Sequence, residues 1–480
     1  MKRIRFSSLS LYALTITLII AGGQPCFCSV ACAQDADSQS PASPDGAEAD
    51  ESETALSEDG ASEDGAREDG ASEEGRGNDD SASAESADPT TPPKPPVAVE
   101  LTPEQEAAAA EAEAKFRDLH QQLIDALTQM RTTHIHFQNG EDQSADARRR
   151  YREHRDRFRQ LMRETYDAAD RLLPLKLVPD AVTFIGTTLK YREDNDIYDV
   201  STLRGCVQLI DGNAREIFLF RGGARSAVCV GDFRLAKKIY EAMGEEHMEE
   251  IDKSLMFYMD KIEEQWTAEL AARKADEGKE LPQVKLSTTR GDIVLELFID
   301  SAPSAVSNFI GLVEDGFYDD LDFYQVMEHL LALTGDPSGN GMGNTGEFLI
   351  DEHKNENARH GVRGSLVMAK MPIGETGQFV PNSASSQFAI LFLPVSSVSS
   401  NQTVFGRVIE GMDVVCSLRR VDPAEKDKKD KVIVPPDRIL TAEVIRRPDE
   451  LPEPKYVDVK QAILEAQRQL HQGHEHAPPQ

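Results

Sequence analysis

The stretch Phe323–Gly343, FYQVMEHLLALTGDPSGNGMG, sets the narrowest limits on what this chain can become. Its first half is apolar and β-prone, with Phe323, Tyr324, Val326, Met327, Leu330, Leu331 and Leu333. Its second half is turn chemistry, Gly335-Asp336-Pro337 followed by Gly339, Gly341 and Gly343. The order predicts a strand running into a glycine-rich loop. A phosphate-cradling loop would need Lys-Ser or Lys-Thr after the glycines, and neither follows. Alternating glycines with no helix behind them are a weak phosphate signal.

The surroundings of that stretch have strand periodicity. Val284 and Leu286, then Ile293, Leu295 and Leu297, alternate across two strands joined by the turn Thr289-Arg290-Gly291-Asp292. Ala302-Pro303 opens a helix with Val306, Phe309, Ile310 and Val313 on one face, ended by Gly316. Strand signals return at 321–328, 330–334, 364–371, 385–393, 402–410 and 438–446. Eight or so strands with few helices predict a closed antiparallel β-barrel over residues 283–447.

Upstream the pattern is helical from 101 to 275. Thr102-Pro103-Glu104-Gln105 is a helix start, followed by an Ala/Glu-rich helix to about Arg131. A basic helix is predicted from about Ala145 to Leu173, its arginines interleaved with Asp146, Glu153, Asp156 and Glu164 as on a solvated face. From Pro179 to Met243 the pattern repeats with a period of about 36. Phe220, Ala224, Ala227, Gly231, Phe233, Ala236, Tyr240 and Met243 sit at the spacings of a tetratricopeptide repeat. A looser copy precedes it at Phe184, Thr188, Tyr191, Ile197, Val200 and Val207. Such hairpins serve as a peptide-binding groove or as a scaffold packed on a neighbour. A helix from about Glu245 to Lys274 closes this region.

The N-terminus reads as a secretory signal peptide over residues 1–33. Lys2, Arg3 and Arg5 precede the apolar run Leu9–Gly22, and Ala31-Cys32-Ala33 is a cleavage pattern. The run is too short to span a bilayer, so no membrane span is expected after cleavage. The protein is expected to be exported, periplasmic or extracellular. Residues 34–100 are expected to be an acidic, disordered low-complexity linker. Asp35–Glu100 holds 20 acidic and 3 basic residues, about half of the chain's net charge of −32. That charge argues against nucleic acid as the main partner. Three cysteines, Cys26, Cys28 and Cys32, fall in the signal. Cys206, Cys229 and Cys416 remain, too few and too scattered for a disulfide framework or zinc site. Cys206 and Cys229 are a candidate pair if their helices are neighbours; buried free thiols are the alternative. Residues 448–480 are expected to form a short helix, Tyr456–Leu470, and a frayed tail.

The motifs of residues 284–447 resemble, in order, those of the cyclophilins. Thr289-Arg290-Gly291-Asp292-Ile293, Ala302-Pro303 with Asn308-Phe309, and Gly316-Phe317-Tyr318 lead up to the opening stretch. Phe323 and Gly335-Asp336-Pro337 match the family signature. Gly364-Ser365-Leu366-Val367-Met368-Ala369, Ser385-Ser386-Gln387-Phe388 and Val404-Phe405-Gly406-Arg407-Val408 follow. The resemblance implies a multidomain chain, an α-helical (tetratricopeptide-like) region followed by a closed antiparallel cyclophilin-like β-barrel with two helices. It also implies peptidyl-prolyl isomerisation of a proline-containing client, without metal or cofactor.

Carried over by position, the family's catalytic Arg falls on Gln325 and its His on Tyr324. The Phe-Met pair of the proline pocket falls on Leu330 and Leu331, and the first Gln on Leu333. The second Gln survives as Gln387, followed by Phe388, but the pocket-floor Phe falls on Ala389. The wall Trp falls on Ser397, its neighbouring Leu on Val398 and the pocket His on Gln402. Ala369 completes the expected substrate-binding set, and an insertion of about eight residues lies within Pro372–Ala384. Gln325 and Gln387 are thus the catalytic candidates. Two functions fit: an exported isomerase with a weakened site, or a catalytically silent binding module whose helical region recruits a protein partner.

Overall fold

The computed structural model describes residues 102–373, 378–422, 435–448 and 450–458. The expected signal peptide, the acidic linker and most of the C-terminal tail lie outside the described residues.

The helical region contains α1 (Pro103–Gln138), α2 (Ala145–Leu172), α3 (Pro179–Asp194), α4 (Val200–Asp211), α5 (Ile217–Val230), α6 (Phe233–Met243), α7 (Glu250–Phe257) and α8 (Met259–Asp276). Ser144 caps α2 by accepting from the Ala147 amide at 3.1 Å, which satisfies an amide with no partner inside the helix. Phe116, Leu123, Leu161, Tyr166, Phe184 and Leu189 form the first core of the region. The second holds Phe220, Ala224, Ala227, Phe233, Ala236, Tyr240 and Met243, the positions expected to face inward in the α5–α6 hairpin. Gly231 ends α5 at φ +86°, and a Cβ there would lie 2.1 Å from Trp266 Nε1 of α8. Only glycine meets both demands. The structure supports a helical region; it does not extend to a tetratricopeptide assignment. The closing helix is broken into α7 and α8 at Tyr258.

The strands are β1 (Gln283–Thr288), β2 (Asp292–Leu297), β3 (Gln325–Met327), β4 (Leu331–Thr334), β5 (Phe348–Leu349), β6 (Ser365–Met368), β7 (Phe388–Leu391), β8 (Val404–Glu410), β9 (Ile439–Arg446) and β10 (Tyr456–Val457). Eight form one antiparallel sheet in the order β3-β4-β7-β6-β8-β2-β1-β9. Helices α9 (Pro303–Glu314), α10 (Val398–Asn401) and α11 (Met412–Cys416) accompany it. The expected closed barrel is instead a curled sheet. Its edges β3 and β9 are joined through the isolated bridge Asp322–Arg438, just ahead of both strands, rather than by a ladder. The concave face encloses Phe309, Phe388, Phe405, Ile390, Leu366 and Leu286. Tyr456–Val457 corrects the expected terminal helix, because these residues pair with Phe348–Leu349 as a short two-stranded sheet. The rest of that expected helix lies outside the described residues.

Cys206, Cys229 and Cys416 are free and buried, so the candidate pair is not formed. Burial pushes the Cys206 and Cys229 thiols up to about 12, which keeps them protonated and unreactive at neutral pH. Among the described residues no helix is long and apolar enough to cross a membrane.

Candidate active site

Strand register assembles the site. Gln325 of β3 stands opposite Leu333 of β4, Leu333 opposite Ala389 of β7, and Ala389 opposite Val367 of β6. These four side chains therefore form one row across the convex face, since alternate residues of a strand share a face. Met327, Leu331 and Leu391 form a parallel row beside it. Leu331, Leu333, Val367, Ala389 and Leu391 pack with Val398 and Val404 into a cluster separate from the sheet's concave core, while Met327 is exposed. The face is half-exposed at Gln325, Leu331 and Leu333 and becomes buried toward Ala389 and Val367.

Phe388 corrects one expected substrate contact. Period two sends it to the opposite face from Ala389, where it is fully buried and meets Phe309 edge-on with ring centroids 5.3 Å apart. It is a core residue. Leu330 closes the β3–β4 turn, its amide donating to the Met327 carbonyl at 3.2 Å. Ala369 is half-buried and donates its amide to the Gln387 carbonyl. Gln402 caps α10 through its backbone, and its side chain is half-exposed. Ser397 is exposed where the family wall would stand. Of the insertion, Pro372 bridges Phe379, and Met371 donates to Ser383 Oγ at 2.9 Å.

The two glutamines differ. Gln387 is fully engaged: its Nε2 donates to the Gly343 carbonyl at 2.6 Å and the Gly341 carbonyl at 3.2 Å, while its Oε1 accepts from Tyr324 Oη at 2.6 Å. It ties the glycine loop to β3. Burial, reinforced by Asp336, pushes the Tyr324 phenol well above its ordinary value, so Tyr324 stays a neutral donor. Gln325, by contrast, makes a single weak contact among the described residues, from Nε2 to Met327 Sδ at 3.5 Å. Its amide is the available polar group of the row, and it carries no charge.

The glycine loop has its own anion. Asp336 accepts the amides of Ser338 at 2.6 Å and Asn340 at 2.9 Å, and also that of Gly341. Backbone amides that would cradle a phosphate are thus consumed by a carboxylate of the same loop. Gly343 lies against it; a Cβ there would be 2.0 Å from Asp336 Oδ1.

Sequence reasoning missed His329. It sits at φ +60° in the turn between Gln325 and Leu330, and the helical region holds it there. Asp196, buried after α3, accepts from His329 Nδ1 at 2.5 Å and from its amide at 3.1 Å. Asp196 also accepts from Arg420 at 2.7 Å. Behind His329 lies Arg225 of α5, fully buried, with Nε and Nη2 each 2.8 Å from the Asp252 carboxylate and Nη1 3.2 Å from Tyr198 Oη. Burial works against the Arg225 charge, but the Asp252 hydrogen bonds and the oxygens around it outweigh burial and raise its pKa. On the far side of the site, Gln265 of α8 donates to the Ser396 carbonyl at 3.0 Å, beside Ser397 and Val398. Leu393 is buried within the helical core. Both loops that frame the convex row are therefore pinned by helices. No local signal marks the His329–Asp196 and Gln265–Ser396 contacts, because each joins residues more than 100 positions apart.

The family model "Cyclophilin type peptidyl-prolyl cis-trans isomerase/CLD" matches residues 283–444. Peptidyl-prolyl cis-trans isomerase ppi1 of Schizosaccharomyces pombe is 32% identical over 157 residues, covering 32% of this chain and 94% of the relative. A peptidyl-prolyl cis-trans isomerase of Helicobacter pylori is 33% identical over 154 residues, covering 32% of this chain and 89% of its own length. The crystal structure of a cyclophilin-type isomerase from Cryptosporidium parvum aligns at 26% identity with a TM-score of 0.29, covering 35% of this chain and 99% of that one.

Proposed function

This chain belongs to the cyclophilin-type peptidyl-prolyl cis-trans isomerase family, and from that premise we propose that it is an exported isomerase with slow turnover. The prolyl segment of a client lies along the convex face, over Leu331, Leu333 and Val398, with Gln325 at the twisted amide. The observation that carries this reading is the row from Gln325 to Val367, which places one available hydrogen-bond donor at the open end of an apolar surface. Isomerisation must overcome a barrier of ~18–20 kcal/mol set by the partial double bond. An apolar surface favours the less polar, twisted amide, and a donor aimed at its nitrogen stabilises the pyramidal form. A neutral Gln supplies the donor without the charge of a guanidinium, and the loss of a well-placed electrostatic group typically costs about 10²–10³ in rate. Gln387 adds little, because its amide already holds the loop.

A second reading is a silent binding module, favoured by Ala389 and Ser397, which remove aromatic walls while leaving an apolar face. Line-shape exchange of a prolyl peptide with the full chain separates the two. Slow isomerase activity predicts cis–trans exchange faster than the uncatalysed background, lowered by Gln325→Ala. Peptide binding without accelerated exchange supports the silent module, and neither binding nor exchange overturns both. Export rests on the N-terminal sequence pattern. We place the tetratricopeptide-like hairpins in the role of scaffold for the two framing loops, with recruitment of a protein partner as the competing role; a pull-down that recovers a specific partner through α3–α6 favours recruitment.

A further inference from the structure

Between α2 and α3 on one side and the β1–β2 turn and the segment after α11 on the other lies a cavity of about 610 Å³. In a chain with a net charge of −32, its wall carries seven arginines against three aspartates. Six of the seven arginines differ in how firmly they are held. Arg155, Arg290 and Arg420 are held from behind by Asp156, Asp437 and Asp196 at 2.7–3.1 Å and form a fixed wall. Arg192 is also engaged, donating to Ser201 Oγ at 2.6 Å and Thr202 Oγ1 at 3.0 Å and stacking 3.9 Å from the Tyr166 ring centroid, whereas Arg159 and Arg163 are loosely committed. Arg163 stands 3.6 Å from Asp413. Arg159 contacts Ser417 Oγ at 3.4 Å and, among the described residues, has no carboxylate within ion-pair distance. Burial, then the neighbouring Arg155 charge, holds the Arg159 pKa below its ordinary value, the mark of a cation short of counter-charge. Each guanidinium offers five donors in a planar fork, which matches phosphate oxygens.

The lining also has an apolar part, Met130, Phe158, Met162, Ile197, Met412 and Leu418, beside the polar Thr188, Tyr191, Asn195 and Ser417. Pockets of about 300–1,000 Å³ of this mixed character hold small organic ligands. We propose that this cavity is a binding site for an organic phosphate ester, with its head group on Arg159 and Arg163 and its apolar body against the methionines and Phe158. The site is independent of the prolyl face and of the isomerase reading.

Calorimetry on the full chain tests this with 1-naphthyl phosphate as probe, at an ionic strength of about 20 mM, where charge pairing is little screened. The expected result is saturable one-to-one binding, weaker with inorganic phosphate and absent with 1-naphthol. Arg159→Gln should weaken it about ten-fold or more, as expected for lost hydrogen bonds to a charged group. If Arg159→Gln fails to fold, Arg163→Gln, at a largely exposed position, should weaken it in the same direction. Arg117→Gln, on the surface of α1, should leave it unchanged. Absence of saturable binding overturns the proposal, as does equal affinity in the wild type and the cavity variants.

Discussion

Asp196→Asn is the sharpest test of how the helical region holds the prolyl face. Asp196 adopts φ +60°, a conformation asparagine tolerates about as well as aspartate, so the substitution removes charge without adding backbone strain. In the wild type the carboxylate accepts from His329 Nδ1, the His329 amide and Arg420 at 2.5, 3.1 and 2.7 Å. With Asn, Arg420 faces a neutral amide and His329 loses its anionic acceptor. Removing one partner of a buried ion pair costs ~3–5 kcal/mol; Arg420 retains some solvent, its side chain being 27% exposed, so about 3 kcal/mol is expected. Urea unfolding of both proteins, and of His329→Ala and the double variant, measures the loss and the coupling. The pH dependence has a defined sign. Burial opposes ionisation of Asp196, but the His329 hydrogen bond and the His329 and Arg420 charges outweigh it, and its pKa lies below the ordinary 3.8. The carboxylate's contribution is therefore full above pH 3.8 and lost as pH falls below it toward the folded value. The wild-type and Asn stability curves should converge in that acid range. A loss under about 1 kcal/mol, with additive effects at 196 and 329, would refute the clamp.

Gln325→Arg restores a charged donor to the convex row and should raise kcat/KM for prolyl exchange by about 10²-fold; an unchanged rate would mean that the turn holds residue 325 away from the peptide. Ala389→Phe should instead destabilise the fold by about 1–3 kcal/mol, because Ala389 is buried against Leu331, Leu333 and Val367 and the added ring overpacks that cluster; thermal unfolding reads this directly. Gln387→Ala should loosen the glycine loop, seen as faster amide exchange at 339–343, while lowering isomerisation less than Gln325→Ala does. Gly231→Ala meets both a positive φ and the Trp266 indole, and a loss of about 2 kcal/mol or more is expected in urea unfolding.

The chain's own letters determine much of this protein. Alternating apolar residues place β1, β2 and their partners close to where they fall, because a strand with one buried face must repeat with period two. Pro303 and Thr102-Pro103 mark helix starts through equally local backbone preferences. The motif order from Thr289 to Val408 identifies the family, and the resemblance puts Gln325 at the position of the family's Arg without coordinates. The roles of Phe388 and Gln387 were not. Phe388 follows a site residue in the sequence yet belongs to the core, and the Gln387 amide is spent on carbonyls more than 40 residues away. The glycine-rich stretch shows its turn character in composition alone, but that Asp336 fills its amide nest is a fact of folded geometry. Above all, only the tertiary structure joins Asp196 to His329 and Gln265 to Ser396. Periodicity and capping act over a few residues and can be read along the chain. A buried charge finds its partner through packing, so the joining of the helical region to the prolyl face was decided in three dimensions.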